Sequence, residues 1–198
     1  MTEVEAILPD GDPRTVYRGD TQRFEDSPEG VCGATIAVSR RVQPGSDLTL
    51  RLMTRLRLKD HEHLVRRAPS FPVLMQRLLE RAECLGLLYH RDAILDSETK
   101  RELVDGARAI EITSHDLHWD DWSRYSDRQH TWMKFGGLLG EITYRGDLTP
   151  FLPWLALGEW MHIGGKTSFG LGRYTLSHGF GQRSSRGSET GPRRQGKS

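Results

Sequence analysis

The stretch TPFLPWLALGEWMHIGGKTSFGLGRY, Thr149 to Tyr174, decides the fold. Its GGKT core, Gly164 to Thr167, matches the end of a nucleotide-binding P-loop, which follows a strand and opens a helix. A P-loop also needs a glycine five residues before the one preceding the lysine, and that position holds Trp160. The order of elements is reversed as well. Thr149-Pro150 opens an apolar helix that runs to Met161, the glycine-rich loop comes next, and a strand covers Arg173 to Ser177. ATP, GTP and any other nucleotide cofactor are therefore excluded. What remains is a loop containing Gly164, Gly165, Lys166, Thr167, Ser168, Gly170 and Gly172, followed by Arg173. Glycines let backbone N–H groups approach an anionic oxygen, and a lysine adds a point charge. A plain flexible turn has the same composition.

Upstream, DLTLRLMTRLRLK (residues 47–59) alternates as a strand does. Leu50, Leu52, Leu56 and Leu58 share one face; Arg51, Arg55, Arg57 and Lys59 share the other. Cations two residues apart on a strand stand roughly 6.6 Å apart, a spacing suited to successive phosphates, although a solvated face would also carry charges. Pro69 and Ser70 introduce a helix whose Phe71, Leu74, Leu78, Ala82 and Leu85 recur at helical spacing as far as about Tyr89. A polar helix covers Ser97 to Ala109. Two strands follow, Ile112 to Trp119 lengthening through Trp132, and Leu138 to Tyr144, joined by an irregular hairpin with Gly136 and Gly137. With the polar helix set aside as an insertion, the order is β-α-β-β-α-β. That is an α+β, ferredoxin-like (RRM-like) domain: an antiparallel sheet with two helices on one face.

The chain of 198 residues can bury one good core. Net charge is only +1, so any nucleic-acid site must come from local patterning. No apolar run approaches the roughly 20 residues that span a bilayer, and the N-terminus lacks a signal peptide's basic start and apolar core. Cys32 and Cys84 form no disulfide framework. A cytoplasmic protein with no membrane partner is expected. Residues 1–46 do not read as a self-contained domain, residues 47–178 form the ferredoxin-like unit, and the glycine-rich basic tail 179–198 reads as disordered.

His61-Glu62-His63 and His115-Asp116-Leu117-His118, near Asp120 and Asp121, raise metal ligation, but neither has a third ligand at a known spacing; no metal or other cofactor is expected. Of the tryptophans, Trp119, Trp154 and Trp160 read as core, whereas Trp122 and Trp132 fit either core or a base-stacking surface.

RYSDRQ (residues 124–129), FGGLLGEITYRGDL (135–148) and LALGEWMHIGGKTSFGLGRY (155–174) closely resemble the C-terminal half of CRISPR-associated endoribonucleases of the RAMP superfamily, which cut precursor CRISPR RNA. The resemblance runs from about Leu48 to Leu176. It implies a RAMP domain whose glycine-rich loop lies against repeat RNA, with a first ferredoxin-like domain preceding it. Of that first domain, only a last strand, Glu3 to Leu8 with Arg14 to Arg18, is recognisable here. The chain therefore reads as truncated or split, short of a catalytic histidine that the family often draws from the first domain. The implied partners are CRISPR repeat RNA and other CRISPR effector subunits or a second copy of the chain.

Metal-independent RNA cleavage needs a base for the 2′-hydroxyl, a cation for the growing phosphoryl charge and an acid for the leaving oxygen. His162, Lys166 and Tyr125, with Tyr174 as a further acid or orienting group, are the candidates; His162 could equally cap the preceding helix. Gly164, Gly165, Lys166, Thr167, Ser168, Gly170, Gly172, Arg173, Arg124, Arg51, Arg55 and Arg57 are the candidate RNA contacts. The expected function is repeat binding and cleavage to a 2′,3′-cyclic phosphate, in antiviral defence. A non-catalytic RNA-binding RAMP subunit is the alternative.

Overall fold

The computed structural model describes residues 3–7, 13–18, 20–21, 23–24, 47–89, 95–127 and 130–178. The tail and most of the 1–46 segment lie outside these residues, as does Cys32. β1 (Glu3–Ile7), β2 (Pro13–Arg18) and β3 (Arg23–Phe24) form a three-stranded antiparallel sheet in that order.

The remaining elements are β4 (Leu48–Leu56), a short hairpin of β5 (Lys59–Asp60) and β6 (His63–Leu64), α1 (Phe71–Tyr89), α2 (Ser97–Gly106), β7 (Glu111–Asp120), β8 (Ser123–Ser126), β9 (Thr131–Lys134), β10 (Gly137–Arg145), α3 (Leu152–Met161) and β11 (Tyr174–His178). The main sheet has the order β11-β4-β10-β7, antiparallel throughout. Sequence neighbours β4 and β7 are thus separated by β10, the arrangement a split βαβ unit requires. The expected ferredoxin-like fold is what forms.

The leucine alternation of β4 explains the layering. Leu48, Leu50, Leu52, Leu56 and Leu58 are buried and pack in one cluster with Phe71, Leu74, Met75 and Leu78 of α1, Leu152 and Leu155 of α3, and Ile142 and Tyr144 of β10. Burying each such aliphatic side chain contributes roughly 1.5–3 kcal/mol. Pairing of Thr143 with Thr49 brings their hydroxyls to 2.9 Å, and at the strand ends Arg145 makes two bonds to the Asp47 carboxylate, at 2.6 and 2.8 Å. The α2 helix starts at Asp96, whose carboxylate accepts from the Glu98 and Thr99 amides.

Three expectations need correction. The Ile112–Trp132 strand is broken: β7 stops at Asp120, and β8 and β9 form a separate two-stranded hairpin beyond the sheet, tied to it where the Phe135 amide donates to the Trp122 carbonyl at 2.7 Å. Trp160, read as core, is half exposed, because α3 turns it away from the sheet. Tyr174, read as an acid near the loop, is fully buried; its hydroxyl donates to the Leu155 carbonyl at 2.7 Å, and burial pushes its pKa well up.

Candidate RNA-binding surface and active site

The glycine-rich loop is pinned to β4. Gly165 and Gly172 amides donate to the Arg57 and Arg55 carbonyls at 2.8 and 3.0 Å, and the Ile163 amide donates to the Gly172 carbonyl at 3.0 Å. On the β4 side the chain bulges: the amides of both Met53 and Thr54 donate to the Arg173 carbonyl, at 2.9 and 3.1 Å. The Thr54 hydroxyl donates to the Gly170 carbonyl at 2.8 Å and accepts from the Arg173 amide at 2.9 Å. Close approach requires the glycines. Gly172 has φ 78, and a Cβ there would lie 1.9 Å from the Ile163 carbonyl oxygen. The amides of Gly165, Gly170 and Gly172 are therefore spent on holding the loop, so these three do not form the open phosphate nest that composition suggests.

Inside this frame Lys166 has φ 63, a conformation lysine rarely takes, and its ammonium stands 4.3 Å from the centre of the Phe135 ring. Phe135 in turn meets Phe169 of the loop and Trp122, each at 5.0 Å between centroids. Tyr125 and Trp132 face each other across the β8–β9 hairpin at 5.5 Å. Four of these rings are open to solvent, Trp122 by 40%, Tyr125 by 41%, Phe169 by 50% and Trp132 by 67%. Arg55 and Lys166 stand over two rings of this run, Trp122 and the buried Phe135. Trp122 and Trp132 are thus surface residues rather than core. Phe135 and Phe169 were missed, although an aromatic inside a glycine-rich loop is a signal in itself.

The cationic row on β4 is not bare. Arg51 pairs with Glu141 at 3.6 Å, Arg55 pairs with Asp120 at 2.5 Å and lies over Trp122, and Arg57 donates to the Gly136 carbonyl at 2.6 Å. Neighbouring strands supply acids that a single-strand reading does not see. Arg124 and Arg173 are exposed, and Thr167 and Ser168 lie in the short helical turn Thr167–Phe169 that closes the loop.

His162 ends α3 with φ 58, its amide donating to the Gly158 carbonyl at 3.0 Å. Burial holds its imidazole below the usual histidine range; a hydrogen bond to the Leu171 carbonyl opposes this, and the nearby Arg173 and Arg81 charges add to it. These effects favour the neutral imidazole, the form a general base requires. Among the described residues, no hydrogen bond, ion pair or ring contact joins His162, Lys166 and Tyr125 to one another. His61 and His63 sit on the β5–β6 turn, and no group of three potential metal ligands occurs among the described residues. No helix among them is long and apolar enough to cross a membrane.

A four-stranded sheet in this order, two helices on one face and a cationic glycine-rich loop after the second helix define a ferredoxin-like domain of the RAMP type. The chain belongs to the CRISPR-associated endoribonuclease Cas6 family, whose sequence profile matches residues 48–174. Thermus thermophilus Cas6 is similar in structure, with a TM-score of 0.54 and 14% identity over 74% of this chain and 58% of that one. A Cas6 product complex gives 0.53 and 13%, over 75% and 56%. A partial Cas6-RT-Cas1–Cas2 complex gives 0.50 and 22%, over 70% and 23%. The chain therefore spans little more than half of the Cas6 chain in these first two structures and under a quarter of the chain in the third. No curated protein matches the sequence.

Proposed function

We propose that this chain binds CRISPR repeat RNA and takes part in cutting precursor CRISPR RNA to guide RNA, by a step that needs no metal ion. The neutral His162 imidazole accepts the proton of a 2′-hydroxyl, whose oxygen attacks the adjacent phosphorus. The P–O5′ bond breaks, leaving a 2′,3′-cyclic phosphate on one product and a 5′-hydroxyl on the other. Lys166 faces the charge that grows on the phosphoryl oxygens, and Tyr125 donates to or orients the leaving oxygen. The observation that carries this reading is the placement of Lys166, in the loop pinned to β4, over the buried Phe135 ring, which in turn meets the exposed rings of Phe169 and Trp122. A cation beside stacking surfaces holds a phosphate whose neighbouring bases are splayed onto the rings.

A second reading, a non-catalytic RNA-binding RAMP subunit, draws on the separation of His162, Lys166 and Tyr125, each of which meets different neighbours. On this reading the residue 47–178 domain recognises RNA, and a partner of the CRISPR machinery or a second copy supplies chemistry.

Incubating the full chain with labelled repeat RNA in EDTA separates the two. A single cut with a cyclic phosphate end, abolished by His162→Ala and slowed at least tenfold by Lys166→Ala, is the expected result. Binding without cutting assigns the recognition role; full activity of Lys166→Ala removes the loop from the mechanism.

A further inference from the structure

On the helical side of the glycine-rich loop lies a cleft of about 320 Å³, lined by Arg57, Lys59, Arg77, Arg81 and Glu80 and by the Gly164–Gly165 backbone. Four cations here face one carboxylate. Arg57 donates to the Gly136 carbonyl at 2.6 Å, Arg77 to the Lys59 carbonyl at 2.8 Å, and Arg81 to the Met161 carbonyl at 3.4 Å. A carbonyl fixes a guanidinium in place without cancelling its charge, and leaves other donors of its fork free. Glu80 meets Arg77 at 2.7 Å and is itself shared with Gln76. Lys59 pairs with Glu62 at 3.5 Å, both well exposed, and such a pair is weak. Arg51 and Arg55 of β4 likewise face acids, at 3.6 and 2.5 Å. Within the lining of the cleft itself, four cations stand against the single carboxylate of Glu80.

The cleft is continuous with the loop. The Arg57 side chain runs within 3.9 Å of the Cβ position of Gly165 on its way to Gly136, so one arginine borders both. We infer that the cleft is a second phosphate site, and that an RNA strand leaving the glycine-rich loop turns over Gly164 and Gly165 and places a backbone phosphate between Arg77, Arg81 and Lys59. The inference rests on the RNA-binding reading above. It adds residues from α1 to the site, and it makes the interaction independent of base identity, because only phosphate is read.

The test uses the full chain and labelled single-stranded RNA of two lengths, about 6 and about 16 nucleotides, with affinity followed against salt concentration. Arg77→Gln with Arg81→Gln should weaken binding of the longer RNA about tenfold and leave the shorter RNA nearly unaffected. The pair should also lower the longer RNA's log–log salt slope by about 0.7, the share of the one phosphate that the two arginines hold on a single strand. Glu80→Gln should tighten the longer RNA two- to fivefold, roughly, a gain that misfolding does not produce. Lys166→Ala serves as the reference for the loop. If Lys166→Ala weakens binding while the arginine pair and Glu80→Gln change neither affinity nor slope, the cleft is overturned and the loop reading stands. If the unaltered chain binds neither RNA, both fall.

Discussion

His162 occupies a left-handed backbone conformation, φ 58, at the point where α3 gives way to the loop. Burial and the charges of Arg173 and Arg81 disfavour its protonated form in the folded chain. The sign of the pH effect follows. A base acts when neutral, so cleavage should hold constant as pH falls to the ordinary histidine value of about 6.5 and decline only below it. Arg173→Gln relieves repulsion of the imidazolium and should move that acid limb to higher pH, read as single-turnover cleavage at saturating RNA. An acid limb that starts above the ordinary value, or that ignores Arg173, would assign the base to another group. By the same depression, the stability present above the unfolded pKa of His162 is lost as pH falls from that value through its lower folded pKa. As a residue, His162 was legible as the nearest imidazole to the loop. The bias toward its neutral form was not, since that comes first from burial and then from the charges that folding brings near it, Arg173 and Arg81.

Among the elements, the loop and β4 depend on each other. The β4 bulge at Met53 and Thr54 exists because both amides bond to one carbonyl, that of Arg173, and the Thr54 hydroxyl closes the junction by bonding on both sides of the loop. Thr54→Val keeps the branched shape and removes the hydroxyl. These bonds are solvent-exposed, so the loss should cost about 1 kcal/mol of stability, yet it frees the segment that carries Lys166. A modest fall in melting temperature together with at least a threefold loss of RNA affinity is expected; equal affinity would show that loop docking does not matter for binding. The helices and the two central strands were legible from periodicity, because each buries one face. The β8–β9 hairpin was not, because its rings lie on a two-stranded extension that buries little and so leaves no alternating pattern.

For the molecule as a whole, the net charge of +1 means that RNA attraction has to be local. The salt dependence of RNA binding should therefore report the phosphates neutralised at the loop, hairpin and α1 cleft, at about 0.7 in log–log slope for each, and double removal of Lys166 and Arg173 should reduce it by about 1.4. A slope insensitive to those changes would place the RNA elsewhere on the surface. The amino-acid sequence by itself determined the ferredoxin-like order, the leucine face of β4, the helix-loop-strand ending and the loop's composition, because these depend on neighbours within one element. Only the tertiary structure decided which groups of other elements the cations meet. Glu141 and Asp120 come from strands far along the chain and pair with Arg51 and Arg55, whereas Arg77, which also meets Glu80 on its own helix, and Arg81 read as an ordinary solvated helix face until folding set them on carbonyls in a cleft beside Gly164. Electrostatic compensation acts across space between elements, and periodicity along one element carries no record of it.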